Sequence, residues 1–214
     1  SCDIDGDSDQ DYLLGNWGHN TKFKASQNAP MKMYYADFDE NGNTETVIAI
    51  EKNGKYYPLL GLDELAGQMV FLRKKFTNYK DFAGKTIEEI MGEKLEKATV
   101  FEVHNLASGY LKNEEGKFSF QPFQTSLQIA PIMAFETFDF NQDGKDEVLM
   151  GGNYFGVIPF HGRFDSFPGA LLYNENHVAL GSSLGLDLTQ KSVRHLQIIE
   201  IQEKPYLLVV YNND

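Results

Sequence analysis

A mainly β, repeat-built fold is predicted for this 214-residue chain by three observations. Short apolar runs alternate with turn residues along most of the sequence. Asn-Gly, Asp-Gly and similar turns separate paired runs at hairpin spacing. One acidic nine-residue pattern occurs three times, and each copy runs straight into an apolar strand.

In chain order, Tyr12-Leu13-Leu14 reads as the first strand. Met31 to Phe38 and Thr46 to Ile50 form a pair, and Lys55 to Leu60 follows across Asn53-Gly54. Between residues 62 and 98 the period changes. Leu65, Met69, Phe71, Leu72 and Phe76 have helical spacing, and Asp63 is placed to cap that helix. Thr86 and Glu89 have capping-box spacing ahead of a second helix from Ile87 to about Met91, and a third is read over Glu93 to Lys97. This stretch, 62–98, is predicted to be a helical insertion whose apolar face packs on a sheet. The hairpin pattern then returns. Gly109 to Lys112 pairs with Phe118 to Phe123, Ile132 to Phe138 with Val148 to Met150, and Ala170 to Tyr173 with His177 to Leu180. Val193 to Ile201 pairs with Tyr206 to Tyr211 across Glu203-Lys204-Pro205.

The repeated pattern carries the chemistry. Its copies are Asp3, Asp5, Asp7, Asp9 and Asp11; Asp37, Asp39, Asn41, Asn43 and Glu45; and Asp139, Asn141, Asp143, Lys145 and Glu147. These residues occupy positions 1, 3, 5, 7 and 9 of each loop. Side-chain oxygens at 1, 3, 5 and 9 converge on one point in a tight loop, and the residue at 7 offers its backbone carbonyl. Calcium, a hard cation, takes roughly 6–8 oxygen ligands. Position 6 is Gly42 and Gly144 in two copies, where glycine permits a sharp turn, and Ser8 in the first. An EF-hand needs a glutamate at position 12. Here position 12 is Leu14, Ile48 and Met150, so that motif fails in every copy. A plain hairpin turn explains one such cluster. Three clusters that all keep the acid at position 9 do not fit that explanation. The loops hold 13 of the 31 acids in 27 residues, so without a cation each would repel itself.

The first two loops start 34 residues apart and the second and third 102 apart, the latter interval containing the helical stretch. Self-similar strand units at such spacing indicate a propeller or related repeat architecture. Asp-x-Asp-Gly-Asp-x-x-x-Asp leading to Leu14-Gly15-Asn16, and Asp139 leading to Met150-Gly151-Gly152-Asn153, resemble the FG-GAP/VCBS repeat. That repeat is the blade unit of integrin-α-like β-propellers. Leu14 to Gly18, Phe82 to Thr86, Ala98-Thr99-Val100 and Gly151 to Tyr154 are similar to the bacterial ASPIC/UnbV-associated group, a relative of cartilage acidic protein. The resemblance spans nearly the whole chain. It implies a partial propeller of about three to four blade units over 1–214, with up to three calcium ions held by the loop side chains. Asn41 and Asn141 replace acids with neutral oxygens, so loops two and three are expected to bind less tightly than an all-Asp cage. The resemblance also implies an exported bacterial protein, extracellular, at the cell surface or periplasmic, that acts as a binding or adhesion module for a protein or glycan. A propeller-fold hydrolase or lyase and a purely structural scaffold are the alternatives. The ends, from Ser1 inside a loop to Tyr211-Asn-Asn-Asp214, are read as those of a segment cut from a longer protein, with an open face able to self-associate.

Other functions are disfavoured. A net charge of −12 opposes binding to a phosphate backbone, and Arg73-Lys74-Lys75 reads as a solvated helix face. Cys2 is the sole cysteine, so an internal disulfide is impossible. It reads as a strand residue, with a lipid-anchored cysteine as the alternative. No run is long enough for a transmembrane helix. Histidines 19, 104, 161, 177 and 195 lack metal-ligand spacing, and no nucleophile elbow, P-loop or dinucleotide motif is present. Trp17, Tyr154, Phe155, Phe160, His161 and Arg163 read as packing aromatics, with a sugar-stacking surface as the alternative.

Overall fold

The computed structural model describes residues 1–158 and 161–212. Among them the chain is mainly β, with four small antiparallel sheets and a few short helices. It divides into two compact units: Ser1–Lys22 with Leu106–Asp214, and Phe23–Asn105.

In the first unit, β1 (Tyr12–Leu14), β6 (Gly109–Glu114) and β7 (Lys117–Pro122) form a sheet in the order β1-β6-β7. Buried Cys2 makes an isolated antiparallel bridge with Asp11 beside it, outside the strands themselves. A four-stranded meander follows: β8 (Ile132–Phe138), β9 (Glu147–Gly152), β10 (Ala170–Asn174) and β11 (His177–Leu180). The hairpin β12 (Val193–Ile201) and β13 (Lys204–Tyr211) completes the unit.

These sheets pack face to face. Ile4, Tyr110, Phe123, Ile132, Val148, Met150 and Leu172 fill one core. Leu149, Leu171, Val193 and Leu196, with Leu207 and Val209 against them, fill a second. Strand β9 is therefore buried on both faces, which is why Val148-Leu149-Met150 is continuously apolar rather than alternating.

The Gly-Asn motifs have a steric reason. A Cβ on Gly152 would lie 2.1 Å from the Pro131 carbonyl oxygen, and one on Gly15 would lie 2.2 Å from that of Ile132. Asn153 is fully buried. Its Nδ2 donates to the carbonyls of Phe167 (2.9 Å), Leu188 (3.1 Å) and Lys191 (3.1 Å), and its Oδ1 accepts from Phe167 N (2.9 Å). Asn153→Ala would strand these groups, at about 1–3 kcal/mol for a buried polar group left unpaired. Urea denaturation followed by fluorescence should show that loss.

In the second unit, β2 (Met31–Ala36), β3 (Glu45–Lys52), β4 (Lys55–Pro58) and β5 (Thr99–Val103) pair in the order β4-β3-β2-β5. Between β4 and β5 run α1 (Leu62–Gln68), α2 (Phe71–Lys75), α3 (Tyr79–Phe82), α4 (Ile87–Met91) and a 3-10 turn (Gly92–Lys97). Tyr34, Val47 and Ala49 of the sheet share one core with Leu65, Met69, Leu72, Ile87 and Ile90 of the helical stretch.

The helical reading needs corrections. The first predicted helix is broken in two at Met69–Val70, just after Gly67, a weak helix former. Asp63 is not its cap. Gly61 holds that place, and Asp63 accepts from the Tyr79 hydroxyl (2.7 Å) and pairs with Arg73. The third predicted helix is the 3-10 turn. The basic run is only partly a solvated face, because Lys75 Nζ donates to the carbonyls of Glu89 (2.8 Å) and Ile90 (2.9 Å). The Thr86–Glu89 capping box is present as predicted. No helix among the described residues is long and apolar enough to cross a membrane.

Candidate metal centres

Each acidic loop joins two antiparallel partners: Cys2 and Asp11, β2 and β3, or β8 and β9. The three loops share one hydrogen-bond scheme. Asp37 Oδ1 and Oδ2 accept from the amides at positions 5 and 6, Asn41 (3.0 Å) and Gly42 (2.9 Å). Asp139 does the same with Asp143 (3.0 Å) and Gly144 (2.9 Å), and Asp3 with Asp7 (3.1 Å) and Ser8 (2.9 Å). The position-5 oxygen then accepts from the amide at position 7: Asp7 from Asp9 (2.8 Å), Asn41 from Asn43 (2.8 Å) and Asp143 from Lys145 (2.9 Å). Sidechain-to-backbone bonds of this kind hold a short loop without any regular ladder.

Position 9 closes the scheme. Asp11, Glu45 and Glu147 are buried. Each accepts from the amide at position 2: Ile4 (3.0 Å), Phe38 (2.9 Å) and Phe140 (2.9 Å). The apolar residue at position 2 anchors this amide; Ile4 and Phe38 are themselves buried in the two units' cores. Asp11 accepts in addition from Asn113 N (2.9 Å), and Glu147 from Asn141 N (3.3 Å) and Nδ2 (2.6 Å).

Three Asp/Glu clusters that could hold a metal ion result. Carboxylate oxygens of Asp3, Asp5 and Asp11, of Asp37, Asp39 and Glu45, and of Asp139, Asp143 and Glu147 each lie within 4.8 Å of one another. The remaining sequence-derived residues have the following partners. Asp7 and Asn41 turn an oxygen to the loop backbone. Asp9 Oδ2 accepts from Glu115 N (2.9 Å), outside its own loop. Asn141 Oδ1 accepts from Asp143 N (2.8 Å), while its Nδ2 donates to Glu147 Oε1 (2.6 Å) and Asp143 Oδ2 (3.0 Å). Asn43 Nδ2 donates to Asn41 Oδ1 (2.9 Å). Asn43 and Lys145 enter the scheme through the backbone at position 7.

The donor set suits a hard divalent cation. It is all oxygen and mostly carboxylate, with no soft sulfur or imidazole in any cluster. Asp39 Oδ1 is buried without a hydrogen-bond partner, the kind of lone pair a cation satisfies. In loop one a lysine reaches a clustered carboxylate, whereas in loop two Lys97 pairs with Glu40 and Lys94 donates to the Phe38 carbonyl. Lys112 Nζ lies 3.0 Å from Asp5 Oδ2 and holds the Asp5 carboxyl below the usual carboxylate range.

Two features escaped sequence reasoning. Position 4 is left-handed in every copy, at Gly6 (φ 82°), Glu40 (φ 61°) and Gln142 (φ 63°), alongside the expected position 6. Loop one carries its glycine at position 4 and leaves Ser8 left-handed (φ 74°) at position 6. Loops one and three also line a common cavity of about 440 Å³ with Tyr173 and His177, whose rings stack at 4.7 Å. Of the aromatic group, the Trp17 ring packs edge-on against Tyr154 and Phe164, and the Arg163 guanidinium lies over Phe155. Phe160 and Asp214 lie outside the described residues.

No protein-family model, curated protein or solved structure matches the chain.

Proposed function

We propose that this chain is a calcium-binding segment of an FG-GAP/VCBS-type β-propeller from an exported bacterial protein, acting as a binding or adhesion module for a protein or glycan. The observation that carries the metal reading is the buried position-9 carboxylate. It recurs in three loops, each time bonded to the position-2 amide and grouped with two further acids. Calcium would supply positive charge and fix the coordination of these acids. The chain's own residues do the rest. Positions 1 and 5 set the loop backbone, position 2 anchors it, and position 9 ties it to the next strand. A hairpin held at both ends in this way gives neighbouring loops a rigid frame from which to present a surface.

The propeller reading is supported by the first unit. Its sheets are antiparallel and follow one another face to face in chain order, as blades do. The binding role rests on the resemblance.

Isothermal titration of calcium-stripped protein tests the metal reading, with three calcium ions per chain as the expected result. A stoichiometry of zero would sink it. Glycan and protein arrays probed in calcium and in chelator then test the binding role, which predicts a calcium-dependent partner.

A further inference from the structure

Loop one has the most acids, five, and is the loop with a lysine in its cluster. Loop two has lysines at its rim, Lys97 on Glu40 (2.6 Å) and Lys94 on the Phe38 carbonyl, but among the described residues no ammonium is ion-paired with its clustered Asp37, Asp39 and Glu45 or with the cluster of loop three. In loop one the Lys112 ammonium lies 3.0 Å from Asp5 Oδ2, with the lysine side chain 27 % and the carboxylate 9 % exposed. Lys112 comes from β6, more than a hundred residues along the chain, and the β1–β6 ladder fixes its place. Its second partner is Glu114, with Nζ to Oε1 at 3.2 Å. Glu114 is well exposed and outside the cluster.

We infer that Lys112 is a tethered counter-ion that occupies the charge position of loop one and must yield to an entering divalent cation. The inference rests on the metal reading above and adds its regulation. The ammonium neutralises part of a five-acid loop and limits its self-repulsion. An ion binding to Asp3, Asp5 and Asp11 meets a like charge there and takes over the Asp5 oxygen. Glu114, already 3.2 Å from the ammonium, keeps Lys112 paired when it releases Asp5. Loop one is thus the weakest and last-filled of the three sites despite its acid count. This reverses the order that counting Asp against Asn gives.

The test compares the intact wild-type chain with Lys112→Met. Calcium affinity is read by competition with a chromophoric chelator, and melting is followed in calcium and in chelator. The weakest of the three sites should tighten about tenfold in the variant, the loss of one opposed charge contact. The variant should also melt lower than wild type in chelator and gain more from calcium. A purely structural lysine would lower both melting temperatures alike. Acylation of wild-type lysines, mapped by mass spectrometry, gives a readout that needs no variant: calcium should raise labelling of Lys112 several-fold while leaving unchanged Lys85, which pairs with Glu89 outside every acidic loop. Unchanged labelling with three calcium ions bound, or affinities within twofold in Lys112→Met, would overturn the counter-ion role and leave the metal reading standing. No calcium bound by either protein would overturn both.

Discussion

Saturating calcium should raise the melting temperature reported by Trp17 by about 15 °C. A ligand bound only by the folded state stabilises it by about 2.7 kcal/mol per site at a hundred times its dissociation constant. Trp17 is the single tryptophan and lies in the unit that holds loops one and three. Two filled sites there add about 5 kcal/mol, and about 3 °C per kcal/mol is typical for chains of this size. Magnesium should do much less, because it demands tight octahedral geometry and gives up water reluctantly. Superimposable tryptophan melts in millimolar calcium and in chelator would refute the metal assignment for both loops.

Glu45→Gln should reverse the order of stability between calcium and chelator. The glutamine oxygen can still accept from Phe38 N, so the anchor of the loop survives. What changes is the charge among three acids whose oxygens lie within 4.8 Å. Without metal, removing one of three like charges relieves repulsion, and the variant should be more stable than wild type by about 1 kcal/mol. With calcium, loss of a charged ligand removes most of that site's contribution, about 2–3 kcal/mol. Differential scanning calorimetry in the two buffers would show the melting curves exchange order. Glu45→Ala should be less stable in both, because it strands a buried amide at about 1–3 kcal/mol. A variant whose order is the same in both buffers would mean that Glu45 serves packing alone.

The hairpins were legible because their turns carry distinct chemistry. Asn53-Gly54 adopts left-handed values at both residues (φ 55° and 76°), the type the dipeptide favours. The acidic clusters were legible for a similar reason, since acids on alternate residues of a tight loop bring their oxygens together. Turns without such residues were misplaced. The last hairpin turns at Gln202 and Glu203 (φ 52° and 62°), and Lys204 and Pro205, read as turn, pair within β13. Strand β5 was not singled out, because its exposed Thr-Val-Phe-Glu-Val borders a helical stretch and its partner β2 lies far back in sequence. Helix α3 hid in four residues, although Asn78 capping Asp81 N was a readable signal. The approach of Lys112 to Asp5 depends on tertiary contacts, which local pattern does not encode.

Strand β1 pairs with β6 in a fixed register, Leu14 against Gly109, across an excursion of all of Phe23–Asn105. A hydrogen bond from Gly18 N to the Leu106 carbonyl (2.8 Å) pins the two flanks together. Closing a floppy loop of that length costs about 4 kcal/mol of chain entropy. The cost falls when the excursion has already condensed on its own core. A hierarchical route is therefore expected, with Phe23–Asn105 condensing before β1 and β6 pair.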